Sequence, residues 1–316
     1  MFAARALTLG LFLALAAISP QTRAQSASAY DMALPARSTA ACEGPLCTLV
    51  NPAGLAFAGD GQFLYLHSEG WNVNDRPAMR ADGLLVNAFG LGLGLQYIQP
   101  DVEGSSGSDY LKLDLVLPLF RHRRMLSTAI GLSILDPTQT DEDPSIDVNL
   151  GVMLRPFHFI SLGLVGRQLA SAAIGGGSSR PALDLGLAIR PLWFASDRLT
   201  LAMDARLIED AADPTLRFTA LARPVDGLFL TASADLDGAF GVGLRIDFLR
   251  AAVGGYTWFD PDGNNQGMTL TAGASLSMGP GLVLHESRSA EILLDSAWSA
   301  ATDKPGLLRP GPNLLS

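Results

Sequence analysis

After its first two dozen residues the chain has no apolar run near the roughly 20 residues that a membrane-spanning helix needs. A helical membrane protein is therefore excluded. Charge is also scarce: Asp, Glu, Lys and Arg make up 17% of the 316 residues, against about 25% in ordinary soluble domains. Lys112 and Lys304 are the only lysines, which leaves few candidates for a Ser–Lys catalytic pair. The four histidines, His67, His122, His158 and His285, lie far apart and form no metal-ligand spacing. There is no G-x-S-x-G elbow and no Walker loop. The loop Asp260-Pro261-Asp262-Gly263-Asn264-Asn265 carries oxygen ligands but lacks the EF-hand spacing and its closing Glu, so it reads as a polar turn. No enzyme and no cofactor are expected. The net charge of −9 argues against nucleic acid, because phosphate binding needs a basic face.

What the chain does have is alternation. In residues 85–98, Phe89, Leu91, Leu93, Leu95 and Tyr97 share one face, and Ala88, Gly90, Gly92, Gly94 and Gln96 the other. A strand sends successive side chains to opposite faces, so one face is greasy and the other small or polar. About a dozen such stretches run from residue 85 to residue 278, and residues 63–69 add a short one. Long polar links (101–109, 136–144, 171–180, 210–214, 260–266), with only the one near Asp237-Gly238 short, alternate with tight ones (121–124, 157–159, 192–197, 225–227, 249–250). Outer-membrane barrels have short periplasmic turns and longer outer loops. The expected fold class is all-β, an antiparallel transmembrane β-barrel of about 12–14 strands with both termini periplasmic. A soluble barrel would carry its greasy face inside.

Residues 1–24 read as an export signal, with Arg5 before the apolar stretch Leu7 to Ile18 and a cleavage site at Thr22-Arg23-Ala24. The expected divisions are this signal, an N-terminal segment over 25–62, a barrel over 63–278 and a periplasmic tail over 279–316. Export also favours a structural disulfide between Cys42 and Cys47 over a metal or redox pair.

The inward faces carry Lys112, Asp114, Asp147, Arg167, Asp184, Asp204, Arg206, Arg217, Asp235, Arg245 and Asp247. Two readings stand: a charged ladder along a solute path, or an ion-pair network that holds a narrow barrel shut. Arg155-Pro156, Arg190-Pro191 and Arg223-Pro224 each precede a tight turn. Pro belongs at strand ends because it cannot donate to the ladder. The arginines are either rim residues reaching the headgroup layer or ordinary turn formers.

Residues Asn51-Pro52-Ala53-Gly54-Leu55-Ala56, a candidate short helix with Pro in its first turn, resemble the N-P-A-G-L-A motif near the start of FadL and PorV barrels. That resemblance implies a 14-stranded outer-membrane barrel. It places Asn51, Pro52 and Gly54 in a plug or first-strand region. In the transporter branch the plug fills a lumen through which hydrophobic compounds pass. In the PorV branch the barrel serves secretion as a partner subunit. The expected function is thus a channel or transporter for small or hydrophobic solutes. The alternative is a plugged structural barrel that anchors or assists a periplasmic or secretion partner, met through the tail; membrane lipid surrounds either one. The faces also predict that Leu187→Arg harms folding while Gly186→Ser is mild.

Overall fold

The computed structural model describes Leu34 and residues 38–275 except for 43, 59–60, 71–77, 102–108, 123–124, 139–143, 170–171, 174–180, 193–197, 209–213 and 249. The export signal and the tail lie outside the described residues. The strands are β1 (Gln62–Gly70), β2 (Ala78–Ala88), β3 (Leu91–Asp101), β4 (Tyr110–His122), β5 (Leu126–Pro137), β6 (Ser145–Phe157), β7 (Ile160–Arg167), β8 (Ala172–Ala173), β9 (Ala182–Ile189), β10 (Leu199–Ile208), β11 (Thr215–Val225), β12 (Leu228–Asp235), β13 (Phe240–Phe248), β14 (Ala251–Phe259) and β15 (Asn265–Ser275). Each pairs antiparallel with its neighbours, and β1 pairs with both β2 and β15, so the sheet closes. The two-residue β8 only abuts β6 at Ser145 and Ile146. The remaining fourteen strands form the wall, an even number, as expected for a bacterial outer-membrane barrel.

The alternation of small or polar with apolar residues sorts the wall. Leu91, Leu93, Leu95, Leu113, Leu115, Leu187, Leu230 and Leu244 are exposed on its outside. A closed barrel satisfies its backbone through the ladder, so such a surface can meet lipid tails. Aromatic residues mark both rims. Phe89, Phe120, Phe157 and Phe248 stand exposed near the tight turns, and Phe240 stacks on Phe259 near the long loops at 4.9 Å. This matches the aromatic girdles of membrane barrels.

The expected single strand over 85–98 is in fact two strands joined at Phe89-Gly90. Phe89 and Gly90 have φ of 55° and 82°, and positive φ at both central residues is the two-residue hairpin turn that suits strand twist. Such a turn adds an even number of residues, so the alternation runs on through it and hides the break. The link over 192–197, expected to be tight, belongs to a longer connection between Ile189 and Leu199. In the β14–β15 loop Asp260 accepts from Asn264 N at 2.7 Å, Asn264 Nδ2 at 3.0 Å and Gln266 Nε2 at 3.0 Å. The Asn264 side chain, chiefly, holds this carboxyl below its usual range. Its oxygens serve the loop itself.

β1 begins, and β15 ends, at the tight-turn end. The segment before β1 enters the lumen from that end. It contains two 3₁₀ turns, Pro45–Thr48 and Pro52–Phe57. Val50, Ala53 and Leu55 of this plug pack on Leu66, Leu85, Ile98, Val116 and Met153 of the wall. Burying a side chain such as Leu55 contributes roughly 1.5–3 kcal/mol. The plug and the wall of β1 to β6 thus share an apolar core.

Candidate functional site: the plugged lumen

The plug takes its shape from short-range chemistry. Asn51 caps the second 3₁₀ turn by accepting from Ala53 N at 3.1 Å, and Pro52 starts that turn where no N–H is needed. The Asn51 amide also donates to Thr39 O at 2.7 Å. Cys42 and Cys47 are joined in a disulfide, with Cα atoms 5.6 Å apart. Gly54 lies against them: a Cβ there would come within 2.7 Å of Cys42 O. No larger residue fits between the turn and the disulfide loop.

The wall makes room for the plug with glycine. A Cβ at Gly151 would sit 2.5 Å from Asn51 Oδ1 and 2.9 Å from Ala53 N. At Gly163 it would overlap the Thr39 carbonyl, at Gly186 the Thr39 hydroxyl, and at Gly92 the Leu55 side chain. Real Cβ contacts do not fall this short, so these positions are seats and not merely small residues. The expectation that Gly186→Ser is mild therefore does not extend to the plug: the serine Cβ would collide with Thr39 and crowd Asp204 Oδ1 at 2.5 Å.

Polar tethers complete the seating. Asp204 Oδ1 accepts from Thr39 N at 2.7 Å and Thr39 Oγ1 at 2.6 Å. Ser161 Oγ donates to Ala40 O at 2.6 Å. Arg167 donates to Leu49 O at 3.0 Å and Val50 O at 2.7 Å, and its Nε to Asp184 at 2.6 Å. Arg206 grips Asp184 from the other side with bonds of 2.6 and 2.9 Å. Hydrogen bonds to charged groups contribute about 1.5–3 kcal/mol. Asp204→Ala should loosen the plug by about that much, seen as faster protease cleavage within residues 38–57 while the barrel keeps its heat-modified gel mobility. Unchanged cleavage would mean that Asp204 is not a tether.

The other charged residues pair along the wall. Arg217 holds Asp235 at 2.7 and 2.9 Å and lies 4.8 Å from the Trp258 ring centre. Arg245 holds Asp247 at 3.0 and 3.2 Å. Asp114 accepts from Gln96 at 2.7 Å and Ser133 at 2.5 Å, with Lys112 Nζ 3.7 Å away. Asp147 sits on the strand face of Asn149, whose amide donates to Ser133 at 3.4 Å. Lys112 and Asp114 belong to β4, three strands along the sheet from Arg167 of β7, whereas Asp147 belongs to β6, which pairs with β7.

The Arg-Pro pairs exclude one of their two readings. Arg155, Arg190 and Arg223 are buried, not reaching outward to headgroups. Arg155 lies over the plug's Phe57 ring at 4.3 Å, Arg190 donates to His158 O at 3.2 Å, and Arg223 lies over Phe229 at 5.6 Å. The strand period explains this: with Pro outward, the preceding residue faces in.

The plug leaves space on the side of β11 to β15. There a cavity of about 160 Å³ lies between the disulfide loop and the wall, lined by Pro45, Leu46, Gln62, Leu64, Leu221, Phe229 and Arg245 among others. Gln62, Ala252 and Gly273 place it at the tight-turn half. A smaller cavity of about 80 Å³ adjoins Thr39, Asp204, Arg206 and Arg217.

Several solved structures are similar to this chain. CymD, a monoaromatic hydrocarbon channel, superposes with a TM-score of 0.55 at 12% identity, over 75% of this chain and 94% of that one. The toluene transporter TodX of Pseudomonas putida gives 0.46 at 12% identity, over 81% and 98%. The KdgM porin gives 0.39 at 11% identity, over 68% and 99%. At such identities the likeness shows the barrel fold alone. No protein-family model matches the chain, and no curated protein sequence does.

Proposed function

We propose that this chain is an outer-membrane channel or transporter for small hydrophobic solutes. The observation that carries the reading is the apolar cavity beside the seated plug. Small-molecule sites are concave, mostly apolar and furnished with few polar groups, and this one fits. The similar barrel CymD is described as a monoaromatic hydrocarbon channel, which suits a cavity of this size. The tight turns would face the periplasm and the long links the exterior. With the plug in place, ions would find little open water, whereas an apolar solute could travel between the plug and the β11–β15 wall.

Cells that make the full chain should take up radiolabelled toluene several-fold faster than cells without it, and the purified barrel in a planar bilayer should conduct ions poorly. Equal uptake would sink the transport reading. A second reading has its own support. The tethers from Asp204, Ser161 and Arg167 would also suit a permanently closed barrel that anchors a periplasmic or secretion partner through the tail. Equal uptake with a folded, silent barrel is the result that reading expects.

A further inference from the structure

We infer that the cavity beside the disulfide loop binds a small monocarboxylate whose apolar body is about one ring in size. The inference rests on the solute-channel reading for its use and deepens it by naming a ligand class. Size comes first. A dry apolar cavity of about 150 Å³ accepts benzene, and this one measures about 160 Å³. One ring fits.

Polarity comes next. Among the described residues the lining holds one charged side chain, Arg245, and no carboxylate. Arg245 gives Nε and Nη2 to Asp247 at 3.0 and 3.2 Å, and the guanidinium lies 4.2 Å from the centre of the Phe229 ring. Nη1 has no protein partner among the described residues. Gln62 is 2% exposed, lines the same cavity, and leaves its Nε2 without a hydrogen-bond partner. A buried donor without a partner is costly, and a ligand acceptor would recover that cost. Arg223 approaches Phe229 as well, at 5.6 Å. Donors of Arg245 and Gln62 thus face an apolar hollow. Its complement is an apolar molecule that ends in an anionic acceptor.

The experiment is calorimetric titration of the full folded chain in detergent micelles, with empty micelles as reference. Sodium benzoate is the probe, benzyl alcohol the neutral one-ring control, and succinate the anion without an apolar body. Benzoate should bind at least about 10-fold more tightly than succinate. Arg245→Met should weaken benzoate by about 10-fold or more while benzyl alcohol binds as before, and Arg245→Lys should restore part of the loss. Gln62→Leu should weaken both ring compounds. Heat-modified gel mobility verifies that each variant is folded. Benzoate binding no better than succinate, or Arg245→Met weakening benzoate and benzyl alcohol alike, would overturn the site. The two readings fail separately. A barrel that carries toluene but does not bind benzoate loses only this site. One that binds benzoate but does not speed toluene uptake loses only the transport reading.

Discussion

Gly163→Val should turn the plugged barrel into a leaky one. Valine suits a strand, so the wall itself should accept it. The plug should not, because the new Cβ would overlap the Thr39 carbonyl, which is backbone. Thr39 cannot retreat alone. Its N and Oγ1 are bonded to Asp204, and the next residue, Ala40, accepts from Ser161. Moving it forfeits these bonds on top of an overpacking cost of about 1–3 kcal/mol. The expected signs are a rise in ion conductance in planar bilayers and new protease cuts within residues 38–57, in a barrel that still shows heat-modified mobility. A variant that folds and stays silent would mean that the plug is not seated at this glycine.

Leu187→Arg should damage the wall and not the plug. Leu187 is 38% exposed and stands between outward-facing Met203 and Leu162 in the ladder. An arginine on the lipid face costs roughly 2–4 kcal/mol at mid-bilayer, and urea titration of the barrel in lipid vesicles would measure it. The neighbouring Gly186→Ser should leave that titration nearly unchanged and instead free the plug. One position apart, the two substitutions read out opposite faces. A large loss at 186 and none at 187 would mean that the inside and outside of β9 are exchanged.

The outer face was legible because lipid imposes one rule at every position of it. The leucines of β3, β4 and β9 alternate with small or charged residues, and that period survives any error in strand ends. The lumen follows no single rule, so less of it could be read. Glycines at 151, 163 and 186 look like any small inward residue; their role depends on what approaches from across the lumen. A clue to the plug was present nonetheless. Leu84-Leu85-Val86, Leu115-Val116-Leu117 and Val152-Met153-Leu154 are apolar on both faces, and a strand greasy on both sides has a second apolar partner. Leu85, Val116 and Met153 meet the plug there. The inward arginines before the tight turns followed from the same period once Pro was placed outside.

The closure of the wall has a consequence for how the molecule is assembled. Every residue of the plug precedes β1, but the ring is complete only when β15 joins β1, a pairing that brings Thr269 to Ser68 from 201 residues away. Contacts so distant in sequence form slowly, whereas β2 to β6 emerge early and already present the apolar positions that receive Leu55 and Val50. The wall can thus be wound round its own beginning, like cloth on a spindle, and a ring closed around nothing would have to admit the same segment through a narrow mouth. The start of the chain then does more than fill the lumen: it offers β2 to β6 an apolar surface to fold against before the last strand meets the first.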